Sequence, residues 1–108
     1  MATTLSAQKC VACEGDMPPL NPTEATILMR QLKPEWKLSG NEIVRDFKFK
    51  DFKQAMVFVN KVADIAEEEG HHPDIFISYN RVKITLTTHA IIGLSNNDFI
   101  VAAKIDLL

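Results

Sequence analysis

The sequence predicts an α+β domain: a four-stranded antiparallel sheet with helices packed on one face, in the order α-β-β-α-β-β-α. Three observations carry this. Phe52, Ala55, Met56, Val59, Val62, Ala63 and Ala66 recur at helical spacing and form one apolar stripe. From Arg81 to His89, polar and apolar residues alternate in the manner of a half-buried strand. Strand-like stretches come in adjacent pairs on either side of the long helix, which favours local hairpins and an antiparallel sheet.

The elements follow in order. Residues 1–22 lack periodicity and are broken by Gly15, Pro18, Pro19 and Pro22, so they read as an irregular arm preceding a domain over 23–108. Asn21-Pro22-Thr23-Glu24 is a helix-start signal, Ala25, Leu28, Met29 and Leu32 supply the apolar side, and Pro34 ends it. A strand from Trp36, a Gly40-Asn41 turn and a second strand through Phe49 come next, with Ile43, Phe47 and Phe49 on one face. Asp51 suits the start of the long helix, Gly70 its left-handed cap, and Pro73 bars continuation. Asp74 to Tyr79 reads as a short strand with Asn80-Arg81 as its turn. In the strand that follows, Val82, Ile84, Leu86 and Thr88 face one way, and Arg81, Lys83, Thr85, Thr87 and His89 the other. Gly93 to Asp98 opens a last helix with Phe99, Ala102, Ala103 and Leu107 on its buried side.

A chain of 108 residues fits one domain whose core needs no disulfide or metal. Its net charge of −2 argues against a nucleic-acid binder, which needs a basic stripe to neutralise phosphates. No apolar run reaches the length of a membrane span, and the first residues lack the basic and apolar regions of a secretory signal. The expected location is therefore cytoplasmic. Cys10 and Cys13 have the C-x-x-C spacing of a redox pair or half a zinc site. No other cysteine exists to supply a second pair and no strand precedes them, so a frayed or surface-draped segment is the simpler expectation.

All three histidines lie in two segments, Glu67-Glu68-Glu69-Gly70-His71-His72-Pro73-Asp74 and Thr87-Thr88-His89. Imidazole exchanges protons near neutral pH, so this concentration points to proton transfer or metal binding. His71 and His72 leave the helix at the end that carries partial negative charge, which favours a cation. His72 precedes proline, which drives its backbone towards an extended shape and should send the two rings in different directions. Adjacent histidines make an awkward ligand pair, because i, i+4 on a helix or i, i+2 on a strand aims side chains together more easily. Helix phase puts Glu67 and Glu69 just beyond opposite edges of the apolar stripe, where either can orient a histidine, and points Glu68 at solvent. Thr87 and Thr88 also suit a strand by propensity alone.

These residues resemble the pterin-4a-carbinolamine dehydratase family. The resemblance rests on Glu67-x-x-x-His71-His72-Pro73, Tyr79, Val82, Thr88-His89, Gly93-Leu94 and Asp98, with Trp36 and the stretch from Arg45 to Phe52 upstream, and covers about Thr23 to Asp106. It implies dehydration of 4a-hydroxytetrahydropterin to quinonoid dihydropterin, the recycling step after aromatic amino-acid hydroxylation. It implies a homo-oligomer, tetramer or dimer, with no metal and no organic cofactor. By the same resemblance His71, His72 and His89 do the acid–base work with Glu67 supporting a histidine, while Gly70, Thr87, Thr88 and Asp98 border the pterin. Gly70 and Ile75 depart from the acidic residue and tryptophan that animal members carry there. Two rivals stand beside this reading: an oligomeric interaction module with a vestigial site, and a three-histidine metal hydrolase.

Overall fold

In a computed structural model, which describes residues 4–11 and 18–108, three helices and four strands follow the expected order. They are α1 (Pro22–Met29), β1 (Lys37–Ser39), β2 (Glu42–Lys48), α2 (Phe52–Glu69), β3 (Asp74–Ser78), β4 (Arg81–Leu86) and α3 (Asn96–Ile105). Two short 3-10 turns, Leu5–Ala7 and His89–Ile91, are added. The strands form one antiparallel sheet in the spatial order β1-β2-β4-β3. Each hairpin is local, and the centre of the sheet is β2 against β4, from Ile43 opposite Leu86 to Lys48 opposite Arg81.

Strand alternation places Ile43, Val82, Ile84 and Leu86 on the buried face. Against them pack Ala55, Val59 and Val62 of α2 and Phe99, Val101 and Ala102 of α3. Removing these side chains from water is the main stabilising term, at roughly 1.5–3 kcal/mol for each large aliphatic or aromatic side chain. The stripe on α2 is rotated slightly from expectation. Phe52, in the first turn, is 50% exposed, while Phe58 packs on Phe47 and Phe49 with ring centroids 4.5 and 5.0 Å away. Leu107 lies past the end of α3 and is also exposed.

The helix starts follow their sequence signals closely, whereas α1 stops at Met29, short of Leu32 and Pro34, and β4 stops at Leu86, short of His89. Asn21 accepts from the Glu24 N–H at 2.8 Å while Glu24 accepts from the Asn21 N–H at 3.0 Å, a reciprocal cap on α1. Asp51 caps α2 by accepting from the Gln54 N–H at 2.9 Å. The β3–β4 turn is Tyr79-Asn80 rather than Asn80-Arg81, because Arg81 already pairs with Ser78. Tyr79 sits at φ 51°, and the Asn80 side chain donates to the Phe49 carbonyl at 3.0 Å.

Gly70 ends α2 at φ 64° and ψ 27°. A Cβ there would meet nothing within 4 Å, so only the backbone opposes a larger residue. Gly70→Ala is expected to cost about 1–2 kcal/mol in urea unfolding. A cost near zero would show that the left-handed cap does not hold the helix exit in place.

The N-terminal segment differs from a draped arm. Leu5 is 2% exposed and belongs to the core, and the turn that carries it lies along α3. This cover explains why α3 is buried on nearly every side. Cys13 lies outside the described residues. Among the described residues no helix is long and apolar enough to cross a membrane.

Candidate active site

The C-terminal end of α2 delivers two histidines in opposite senses. His71 turns inward, with Nε2 at 2.6 Å from Asp98 Oδ1 and 12% of its side chain exposed. His72 turns outward, with Nε2 at 2.6 Å from Glu67 Oε2 and 62% exposed. The divergence expected from the left-handed glycine and the following proline is present. Of the three glutamates, Glu67 is the one that reaches a histidine. Glu68 is exposed, and Glu69 turns to the N-terminal segment.

Asp98 is fully buried in the first turn of α3. Its Oδ2 accepts from the Thr88 hydroxyl at 2.8 Å and from the Ser95 N–H at 3.0 Å. Thr88 has one hydroxyl proton, and it goes to Asp98. The Ser95 hydroxyl therefore donates to Thr88 at 2.8 Å, and the Ser95 oxygen accepts from the Asn97 N–H at 3.2 Å. Opposite the carboxylate, His71 carries its proton on Nε2, and Nδ1 is the nitrogen left for proton exchange. A buried polar network of this kind fixes one geometry because its donors and acceptors are matched in direction.

His89 does not sit on a strand. β4 ends at Leu86, and His89 opens the 3-10 turn, exposed to solvent. The bridge between Thr88 and Gly93 ties the two ends of this turn together. The three histidines border one cavity of about 320 Å³. Gly70, Thr87, Thr88 and Ala90 also line it, and so do Val11 and Asn97. Glu67 and Asp98 stand behind His72 and His71 rather than on the wall. The Thr88 hydroxyl is spent on Asp98, and its backbone N–H and C=O both bond to Gly93, at 2.8 and 3.4 Å. Thr87 donates its hydroxyl to the Asn41 carbonyl at 2.6 Å. Both hydroxyls thus face the protein, and Thr88 serves the site by holding Asp98.

Asn97, on the cavity wall, escaped the sequence reading, and Glu69 serves the N-terminal segment rather than a histidine. The Asn97 side chain accepts from the Val11 N–H at 3.1 Å and donates to the Val11 carbonyl at 2.6 Å. Glu69 accepts from the Cys10 N–H at 2.9 Å and lies 3.5 Å from Lys104 Nζ. The Cys10 N–H, and secondarily Lys104, hold the Glu69 carboxyl below its ordinary value although burial opposes this. Its contribution to stability is complete above the ordinary carboxylate range and is lost as pH falls through the lowered folded value. Burial, followed by the Glu69 charge, pushes the Cys10 thiol up to about 12, so it stays protonated and unreactive at neutral pH. Only the spacing of Ser95 and Asp98, the S-x-x-D of a capping box, could have signalled the buried network. Among the described residues no three His, Cys, Asp or Glu side chains converge as a metal ion would require.

Residues 18–108 match the family described as pterin 4 alpha carbinolamine dehydratase. A Nitrosomonas eutropha protein with the name "Putative pterin-4-alpha-carbinolamine dehydratase" is 51% identical over 104 residues, covering 96% of this chain and 92% of its own. A Nitrosospira multiformis protein of the same name is 54% identical over 104 residues, covering 96% and 91%. The crystal structure of a transcriptional coactivator/pterin dehydratase from Brucella melitensis is similar at a TM-score of 0.78 and 37% identity, covering 82% of this chain and 96% of that one. A pterin dehydratase-like protein described as a RuBisCO assembly factor in the alpha-carboxysome is similar at a TM-score of 0.56 and 26% identity, covering 67% and 83%. The chain belongs to the pterin-4-alpha-carbinolamine dehydratase family.

Proposed function

We propose that this protein dehydrates 4a-hydroxytetrahydropterin to quinonoid dihydropterin. The carrying observation is that His71, His72 and His89 border one cavity, two of them backed by carboxylates at 2.6 Å. In the reaction the C4a–O bond breaks as the hydroxyl gains a proton and leaves as water. N5 gives up its proton, and its electron pair closes the new C4a=N5 bond. Both transfers suit groups that titrate near neutrality, and no electron changes hands, so neither metal nor organic cofactor is required. His71, His72 and His89 carry the proton transfers. Glu67 orients His72 and Asp98 orients His71, while Gly70, Thr87 and Thr88 shape the space for the pterin. The reaction belongs after an aromatic amino-acid hydroxylase, in the cytoplasm, in a homotetramer or homodimer.

Two similar solved proteins are described as a coactivator/pterin dehydratase and as an assembly factor, which makes an interaction module the rival reading. Two histidine–carboxylate pairs at one cavity favour the enzyme, because docking a partner requires neither. Stopped-flow measurement of 4a-hydroxytetrahydropterin dehydration tests the reading. The wild type is expected to accelerate it, before and after exhaustive chelation. His72→Ala is expected to lose about 10²–10⁴-fold. A wild type that adds nothing to the uncatalysed rate sinks the enzyme reading. Loss of the rate on chelation favours the metal hydrolase.

A further inference from the structure

We propose that Val11 forms a substrate-contacting wall of the cavity and that Asn97 is the residue that positions it. This rests on the dehydratase reading and adds a specificity element to it. The first turn of α3 faces two ways. Asp98 points inward and holds His71, while its neighbour Asn97 grips both backbone polar groups of Val11, at 3.1 and 2.6 Å. The grip imitates one rung of a strand ladder and fixes both the position and the rotation of that residue. The preceding residue is fixed independently, by the Cys10 N–H to Glu69 at 2.9 Å, and Leu5 anchors the segment in the core. A chain held at three points has little freedom left, so Val11 is a preformed wall.

The chemistry of the wall complements the rest of the cavity. Among the described residues its lining is mostly histidine, threonine and small residues, and Val11 is the one branched aliphatic residue on it. A flat bicyclic heterocycle offers polar edges and apolar faces. The histidines serve the edges, and the Val11 isopropyl group gives one face a van der Waals surface. Val11 is 67% exposed, so it has apolar area still to bury on binding.

The wall acts on the ground state and the transition state alike, so it should appear in KM and leave kcat near its original value. Steady-state dehydration kinetics with thermal melting tests this. Val11→Ala is expected to raise KM about 3–10-fold, and Val11→Trp, which intrudes on the cavity, at least about 10-fold, both with kcat within about 2-fold. Asn97→Ala should follow Val11→Ala. Because Val11 is exposed, its variants decide the matter even if Asn97→Ala folds poorly. KM within about 2-fold of wild type in both Val11 variants overturns the wall, and so does a fall in kcat at constant KM. A wild type without activity overturns the dehydratase reading, and the wall with it.

Discussion

Asp98→Asn is expected to fold and to lower the dehydration kcat by about 10²–10⁴-fold. The reason is the direction of its hydrogen bonds. The Oδ2 position receives two donors, the Thr88 hydroxyl at 2.8 Å and the Ser95 N–H at 3.0 Å, so it must remain an oxygen. The amide nitrogen then takes the Oδ1 position, 2.6 Å from His71 Nε2. A donor facing a donor is unfavourable, so Nε2 gives up its proton and Nδ1 carries one instead. The ring stays in place but presents the wrong tautomer, a change that costs about 10⁴-fold in serine-protease triads. Asp98→Ala differs, because it strips the acceptor from three donors, two of them buried. It should also lose stability, at roughly 1–3 kcal/mol for each group left unsatisfied. Stopped-flow rates paired with urea unfolding separate the two variants. Wild-type turnover in Asp98→Asn would show that the tautomer of His71 has no part in the reaction.

The parts of this arrangement that were legible in the sequence are those set by local periodicity. The burial of Val82, Ile84, Leu86 and Thr88 follows from alternation alone, and the exit of α2 from Gly70 and Pro73. Helix phase narrowed the supporting carboxylate to Glu67 or Glu69, and the structure divides their work: Glu67 takes His72, and Glu69 takes Cys10. What stayed hidden depends on contacts between distant residues. His71 and Asp98 are 27 positions apart, and no local pattern says that Asp98 stands behind the ring rather than beside the substrate. The grip of Asn97 on Val11 spans 86 positions. Leu5 gave no signal because one apolar residue in an aperiodic segment looks the same whether it is buried or exposed. Phe58 lies beside the predicted stripe, and its burial depends on Phe47 and Phe49 from the neighbouring strand and loop.

Asp106→Ala should destabilise the fold by about 3–5 kcal/mol and leave the dehydration rate of the folded protein unchanged. Asp106 follows the last turn of α3, at the end opposite Asp98. Its Oδ1 accepts from Arg45 Nη1 at 2.6 Å and from Trp36 Nε1 at 2.7 Å, and its Oδ2 accepts from the Lys33 N–H at 2.9 Å. Arg45 rises from the buried face of the sheet with 13% of its side chain exposed, and its guanidinium carbon lies 4.3 Å from the centre of the Phe47 ring. Nothing among the described residues bonds to its buried Nε, so Asp106 is the anion that compensates this charge. Removing the carboxylate strands a cation in the core, which costs far more than an exposed ion pair is worth. The double variant Arg45→Met with Asp106→Ala removes that cation and should recover part of the loss. Against a total stability of about 5–15 kcal/mol, the single change should move the urea midpoint by a large fraction of its value. A loss below about 1 kcal/mol would mean that water reaches Arg45 once Asp106 is gone. The contrast between the two aspartates is the sharper test of how α3 is used. Asp98→Asn should lose turnover and keep its midpoint, and Asp106→Ala should do the reverse, because one end of the helix sets a proton and the other neutralises a buried charge.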